Sequence, residues 1–178
     1  MSLMELIERR YSCRKYEAKP VEREKLMACI EAARLAPSAC NSQPWRFILV
    51  DDPALVPEAG AYMKMENING FAVQAQAFIV ILPDRSNPTS NRGGVFAGHD
   101  FTSFDIGIAA AHITLAATEQ GLGSCIMGLF QTEKLRELLG IPESEEIALI
   151  VALGYPEAAE LRPKKRKTTQ EVVSFNRF

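Results

Sequence analysis

Residues 37–45 read PSACNSQPW. A turn needs the Pro, Ser and Asn, which preset backbone angles and bond to nearby amides. It has no need of Gln43 and the chain's only Trp in the same nine positions. The surplus polar groups of Ser38, Asn41 and Gln43 mark the loop as one that holds something beyond itself. Upstream, a helix is expected from near Val21, just after Pro20, with Leu26, Ile30 and Ala33 as its apolar stripe and Pro37 as its end. Downstream, WRFILVDD (45–52) reads as a strand.

Further out, Ser2 and Glu5 form a capping box that opens a helix, with Leu3, Leu6 and Ile7 on its buried face. AFIVILP (77–83) is apolar without interruption, as a strand buried on both faces must be, and EEIALIVALGY (145–155) reads as another strand. Residues 53–76 hold helical patches without clear bounds, and DRSNPTSNRGG (84–94) reads as an irregular polar loop. A long helix is expected from Asp100 to Gln120, its middle rich in Gly and Ala, either a buried central helix or a contact between subunits. A short strand near Ser124–Met127 follows, then a helix over 132–140 with Thr132 as N-cap and Gly140 as stop. Thr168 and Glu171 repeat the capping box near the end. Intermingled helices and strands without a linker or repeat predict one α+β or α/β domain over residues 1–178.

The net charge of −2 gives no reason to expect nucleic acid. No uninterrupted apolar run approaches the roughly 18 residues that span a bilayer, and the first ten residues lack the apolar core of a signal peptide, so a cytoplasmic protein is expected. Cys13, Cys29, Cys40 and Cys125 form no C-x-x-C pair, and only His99 and His112 offer imidazoles, so no metal site is expected and the cysteines read as reduced thiols. GLGSCIMG (121–128) has glycines but follows a helix, so it does not fit a dinucleotide turn. There is neither a phosphate-binding G-x-x-x-x-G-K-[ST] nor a G-x-S-x-G nucleophile elbow.

Three clusters remain. Arg9, Arg10, Ser12 and Arg14 crowd six positions; Ser38, Asn41 and Gln43 share the opening loop; Lys164, Lys165, Arg166 and Lys167 form a late basic run. Each could be a solvated surface. If the fold joins the two basic clusters, their forked guanidiniums suit a phosphate monoester. The polar loop then suits a polyol or a flat heterocycle, and the three parts together describe FMN.

The same stretches carry a resemblance. RRYSCRKY (9–16) looks like an Arg-x-Ser-x-Arg/Lys signature, and APSACNSQPWRF (36–47) is similar to a Pro-Ser-x-x-Asn-Ser-Gln-Pro-Trp loop. GLGSCIMGLF (121–130) and ALGYPEAAELRPKKRKTTQEVV (152–173) resemble a flavin-facing segment and a closing basic segment. In this order, across nearly the whole chain, they resemble the FMN-dependent nitroreductase superfamily. The resemblance implies an α+β fold with a central, mostly antiparallel sheet and a homodimer with the long helix at its interface. It also implies two FMN molecules in composite sites between the subunits. Pro37, Ser38 and Asn41, with Ala39 between them, would meet the isoalloxazine and ribityl from the partner chain, while Gln43 and Trp45 brace the loop. Arg10, Ser12, Lys164 and Arg166 would hold the phosphate and nearby ribityl oxygens, beside Tyr11. The backbone at Met127 and Gly128 would line the ring, and Asn67 or Asn69 would reach its edge.

Arg14 is the catalytic candidate: the resemblance implies that it reaches the N1–C2=O edge of the flavin, where reduction places negative charge. The implied reaction passes hydride from NAD(P)H through FMN to a nitroaromatic, quinone or similar electron-poor acceptor, in ping-pong order. The alternatives are a relative that reduces enones or halogenated aromatics, and a flavin-binding carrier or sensor without turnover.

Overall fold

The computed structural model describes residues 1–157 and 164–178. In chain order the helices are α1 (Leu3–Arg9), α2 (Arg23–Arg34), α3 (Val56–Met63), α4 (Pro88–Ala97), α5 (Phe101–Glu119), α6 (Thr132–Leu139) and α7 (Thr169–Val172). The strands are β1 (Trp45–Val50), β2 (Ala77–Pro83), β3 (Gly123–Met127) and β4 (Leu149–Gly154). They form one antiparallel sheet in the order β1-β2-β4-β3, so the architecture is α+β.

The two longest apolar runs become the two central strands. Burial on both faces removes the need for alternation, and side chains of β2 enter two separate cores. Phe78, Val80 and Leu82 pack with α3, α6, Cys13 and Tyr16, whereas Ile79 and Ile81 pack with α2, α5 and Trp45. The sheet is thus sandwiched between helical layers. By length and composition α5 could cross a membrane. Here the five apolar ones among its seven buried residues, Ile106, Ala109, Ala110, Ile113 and Ala117, pack with the sheet and α2.

Several expectations are corrected. Residues 84–94 are not an irregular loop throughout: Asn87 caps α4, accepting from the Ser90 amide at 2.8 Å, and Pro88 takes the first helical position, where its missing N–H costs nothing. Gln131, not Thr132, is the N-cap of α6, and no side chain caps it. The strand expected over 145–155 begins only at Leu149. The capping box of α1 forms, but the helix buries none of its residues: Leu3 and Ile7 are exposed at 66% and 43%. Around α5 the opposite side is apolar too, with Phe104 and Ile108 exposed.

Candidate active site

From Arg10, the C-cap of α1, the chain runs extended across the end of the sheet. Ser12 bridges to Ser124, and the Cys13 amide donates to the Ser124 carbonyl at 2.9 Å. Extended backbone points successive side chains to opposite sides. Cys13 is therefore buried, while Ser12 and Arg14 face outward. Gly123 and Gly154 make this crossing possible. A Cβ on Gly123 would lie 2.7 Å from the Cys13 sulfur, and one on Gly154 would lie 2.8 Å from the Tyr16 ring. The Tyr16 hydroxyl fixes the crossing by donating to the Cys13 carbonyl at 3.1 Å, and burial pushes its pKa far up. Tyr11 turns toward the core, its pKa raised to about 12 mainly by burial. The Arg14 guanidinium lies 5.8 Å from the centre of the Phe71 ring. Arg14, Arg10 and the Ser12 side chain all favour the Cys125 thiolate, but burial outweighs them and the pKa rises.

The late basic run comes back to this place. Lys164 Nζ donates to the Ile7 carbonyl at 3.0 Å and to the Glu8 carbonyl, both in the last turn of α1, whose carbonyls lack helical partners. Its pKa is lowered, first by desolvation and then by Arg10 and Arg166. Cations more than 150 positions apart in sequence thus gather at one helix end and repel each other. None of the ion pairs among the described residues involves Arg10, Arg14, Lys164 or Arg166. Such a donor set suits an anion with several oxygens, and a phosphate monoester fits it. Arg162 and Pro163, which begin the run, lie outside the described residues.

The opening loop sits elsewhere in the chain. Ala39–Asn41 form a 3-10 turn, and Cys40, Asn41 and Gln43 take φ of 51°, 53° and 49°. Left-handed backbone costs L-residues about 1–2 kcal/mol each, so the loop needs outside support. Inside it, the Gln43 amide donates to Ser38 Oγ at 2.8 Å and the Gln43 side chain donates to the Asn41 carbonyl. Outside it, Asp105 on α5 accepts the Ala39 amide with both oxygens at 3.1 Å. At the start of α4, Asn87 donates its side-chain amide to the Cys40 carbonyl at 2.9 Å and its backbone amide to Ser42 Oγ at 2.7 Å. Pro37 and Asn41 are left exposed. No hydrogen bond among the described residues joins this loop to Arg10, Ser12, Arg14 or the late basic run.

At the end of β3, Met127 is buried and Gly128 exposed. Met65 and Ile68 bond to each other across a tight turn, with Glu66 at φ 46° and Asn67 exposed beside it. Asn69 donates its side-chain amide to the Leu129 carbonyl at 2.8 Å, tying this turn to the β3 end and leaving Asn67 as the uncommitted amide. Sequence reading missed Asp105 and Asn87. The only signal was a lone carboxyl in an apolar helix and an Asn before a Pro. Among the described residues no three His, Cys, Asp or Glu side chains group as metal ligands.

Similar proteins match over nearly the whole chain. The chain is 30% identical over 194 residues to a NADH dehydrogenase of Thermus thermophilus, covering 93% of this chain and 91% of the relative. It is 25% identical to an iodotyrosine deiodinase of Thermotoga neapolitana, covering 99% and 98% of the two chains. Among solved structures, an FMN-dependent nitroreductase from Clostridium difficile R20291 superposes with a TM-score of 0.79 at 29% identity, over 99% of this chain and all of the other. The pattern that describes the Nitroreductase family matches residues 7–155, from the last turns of α1 to the residue after β4, and the chain belongs to that family.

Proposed function

We propose that the protein is an FMN-dependent oxidoreductase that passes two electrons from NAD(P)H to a small electron-poor acceptor in ping-pong order. The observation that carries this reading is the gathering of Arg10, Lys164 and Arg166 at the end of α1, none of them in an ion pair among the described residues, with the Glu8 carboxylate offsetting only part of their mutual repulsion at Lys164. The cluster binds the phosphate, and Ser12 and Tyr11 stand beside it. FMN held there would supply a two-electron carrier, able to accept a hydride from a nicotinamide and to reduce an acceptor. Arg14 would meet the pyrimidine edge and stabilise the negative charge that a reduced flavin carries there. Met127 and Gly128 would line the ring, with Asn67 near its edge.

Two copies of the one domain complete the site. Among the described residues the loop carrying Pro37, Ser38, Ala39 and Asn41 has no hydrogen bond to the cationic cluster, which leaves the isoalloxazine end to the partner's loop. The exposed apolar faces of α1 (Leu3, Met4, Ile7) and α5 (Phe104, Ile108) support a homodimer, because contiguous apolar surface is seldom left to water. Four unpaired cysteines suit a reducing compartment, the cytoplasm.

Purified protein should be yellow and release FMN, identified by mass spectrometry. It should oxidise NAD(P)H when a nitroaromatic or quinone is supplied. The iodotyrosine deiodinase relative is the reason to include halogenated phenols, alongside enones, in the acceptor screen. Bound FMN without turnover on any acceptor would favour a carrier; FAD, or no flavin after reconstitution, would overturn the reading.

A further inference from the structure

We infer that Asp105 is a positioning residue, holding the loop of Pro37–Gln43 in the shape that receives the ring end of the flavin. This rests on the flavin reading above. Asp105 is 3% exposed on the second turn of α5, amid Ile106, Ala109 and Ala110. A carboxyl in such surroundings persists only when it is hydrogen-bonded. Its side-chain hydrogen bonds among the described residues go to one donor, the Ala39 amide. That donor opens the 3-10 turn whose next residues, Cys40 and Asn41, are left-handed. The carboxyl therefore does not serve α5 or the core; it fixes where the strained turn begins. Asn87 fixes where the turn ends, through the Cys40 carbonyl and the Ser42 hydroxyl. The loop is clamped at both ends by the starts of α4 and α5, and its outer face, with Asn41, is left open to a ligand.

Three variants test this. Asp105→Ala removes the acceptor. Asp105→Asn keeps one oxygen for the Ala39 amide. Ala39→Pro removes the donor instead; Ser38 already has the extended backbone that precedes proline, and the first helical position tolerates it. Thr114→Ala is the control, an equally buried polar change two turns along α5, where among the described residues the hydroxyl bonds only to the Ala111 carbonyl.

Asp105→Ala should raise the Kd for FMN about ten- to a hundredfold, the range for one charge-assisted hydrogen bond. Riboflavin, which lacks the phosphate, should lose affinity by the same factor, because the lesion is at the ring end. Asp105→Asn should recover most of the loss. Ala39→Pro should match Asp105→Ala, and the double variant should be no worse than either. In flavin-free protein, amide hydrogen exchange at Ala39 should quicken in Asp105→Ala and not in Thr114→Ala.

An unchanged Kd in Asp105→Ala overturns the inference, as does an equal loss in Thr114→Ala. Should Asp105→Ala fail to fold, Ala39→Pro with an unchanged Kd overturns it. A wild type that takes up no flavin removes the flavin reading itself, and exchange at Ala39 then decides separately whether Asp105 holds the loop.

Discussion

Gly123 on β3 stands directly opposite Gly154 on β4, and the space left by their missing side chains holds Cys13 and the Tyr16 ring. This pair seats the segment that carries Arg10, Ser12 and Arg14. Gly123→Ala sets a methyl 2.7 Å from the Cys13 sulfur and 2.8 Å from its Cβ, so the backbone must shift. Each of Gly123→Ala and Gly154→Ala should cost about 1–3 kcal/mol, the usual range for overpacking. Urea unfolding measures it. Midpoints equal to wild type would mean that the segment is not seated on these glycines.

Arg14→Ala should lower the midpoint potential of bound FMN more than it weakens binding. A charge-assisted hydrogen bond is worth about 1.5–3 kcal/mol. Acting on the reduced state alone, that is a fall of roughly 30–65 mV for a two-electron couple. Spectroelectrochemistry of the fully loaded variant reads it, and an unchanged potential would remove Arg14 from the pyrimidine edge.

Asn41→Ala and Lys164→Ala/Arg166→Ala should each abolish FMN binding as homodimers. They damage opposite walls of one composite site. A mixed dimer, isolated through two different tags, carries both lesions in one site and none in the other, and should bind about one FMN. A mixed dimer that binds none, when wild-type dimers handled alike bind two, would place the whole site within one chain.

The Tyr155 hydroxyl, donating at 2.6 Å, is the main reason the pKa of Glu22 falls from 4.5 to about 2, and Lys25 at 3.4 Å helps. The folded value lies below the unfolded one, so between them the unfolded chain binds more protons and stability rises with pH. The contribution of Glu22 is complete above about 4.5 and is lost as pH falls toward 2. Glu22→Gln should flatten the stability profile in that window and leave its shape at neutral pH unaltered. Denaturant midpoints across pH 2–6 give the comparison; profiles that stay parallel would refute the assignment.

Cys40 is exposed, and the other three thiols are buried. Burial also pushes the Cys29 pKa up to about 12. A thiolate is needed for alkylation. Brief treatment of the native protein should therefore modify Cys40 alone, and peptide mass spectrometry identifies it. Bound FMN should slow the reaction, because Cys40 lies in the loop assigned to the ring. Early modification of Cys29 would contradict the packing against α2 and α5.

The sequence by itself determined the elements whose signals are local. The runs within 77–83 and 145–155 are the two central strands, the second shortened to Leu149–Gly154, because burial on both faces needs no partner to be specified. The two capping boxes formed as written, since each is closed within four residues. The loop PSACNSQPW was legible as an unusual concentration of polar groups, but its internal bonding was not: Ser38 Oγ and the Gln43 side chain, expected to serve something beyond the loop, bond within it.

Only the tertiary structure decided what depends on distant neighbours. PTSNRGGVFA has poor helical propensity, with two glycines among Ser, Asn and Thr, yet α4 forms there with its capping residue bonded to Ser42 and Cys40. The apolar stripe of α1 reads as a buried face, yet in the single chain Leu3 and Ile7 are exposed, because periodicity carries no address for the surface that would cover it. The pairing of Asp105 with Ala39 spans 66 positions, and the meeting of Lys164 with the end of α1 spans 157. Loop closure over such lengths is set by the order of the sheet and the packing of α5 on it, and no local rule of propensity or charge pattern reaches that far.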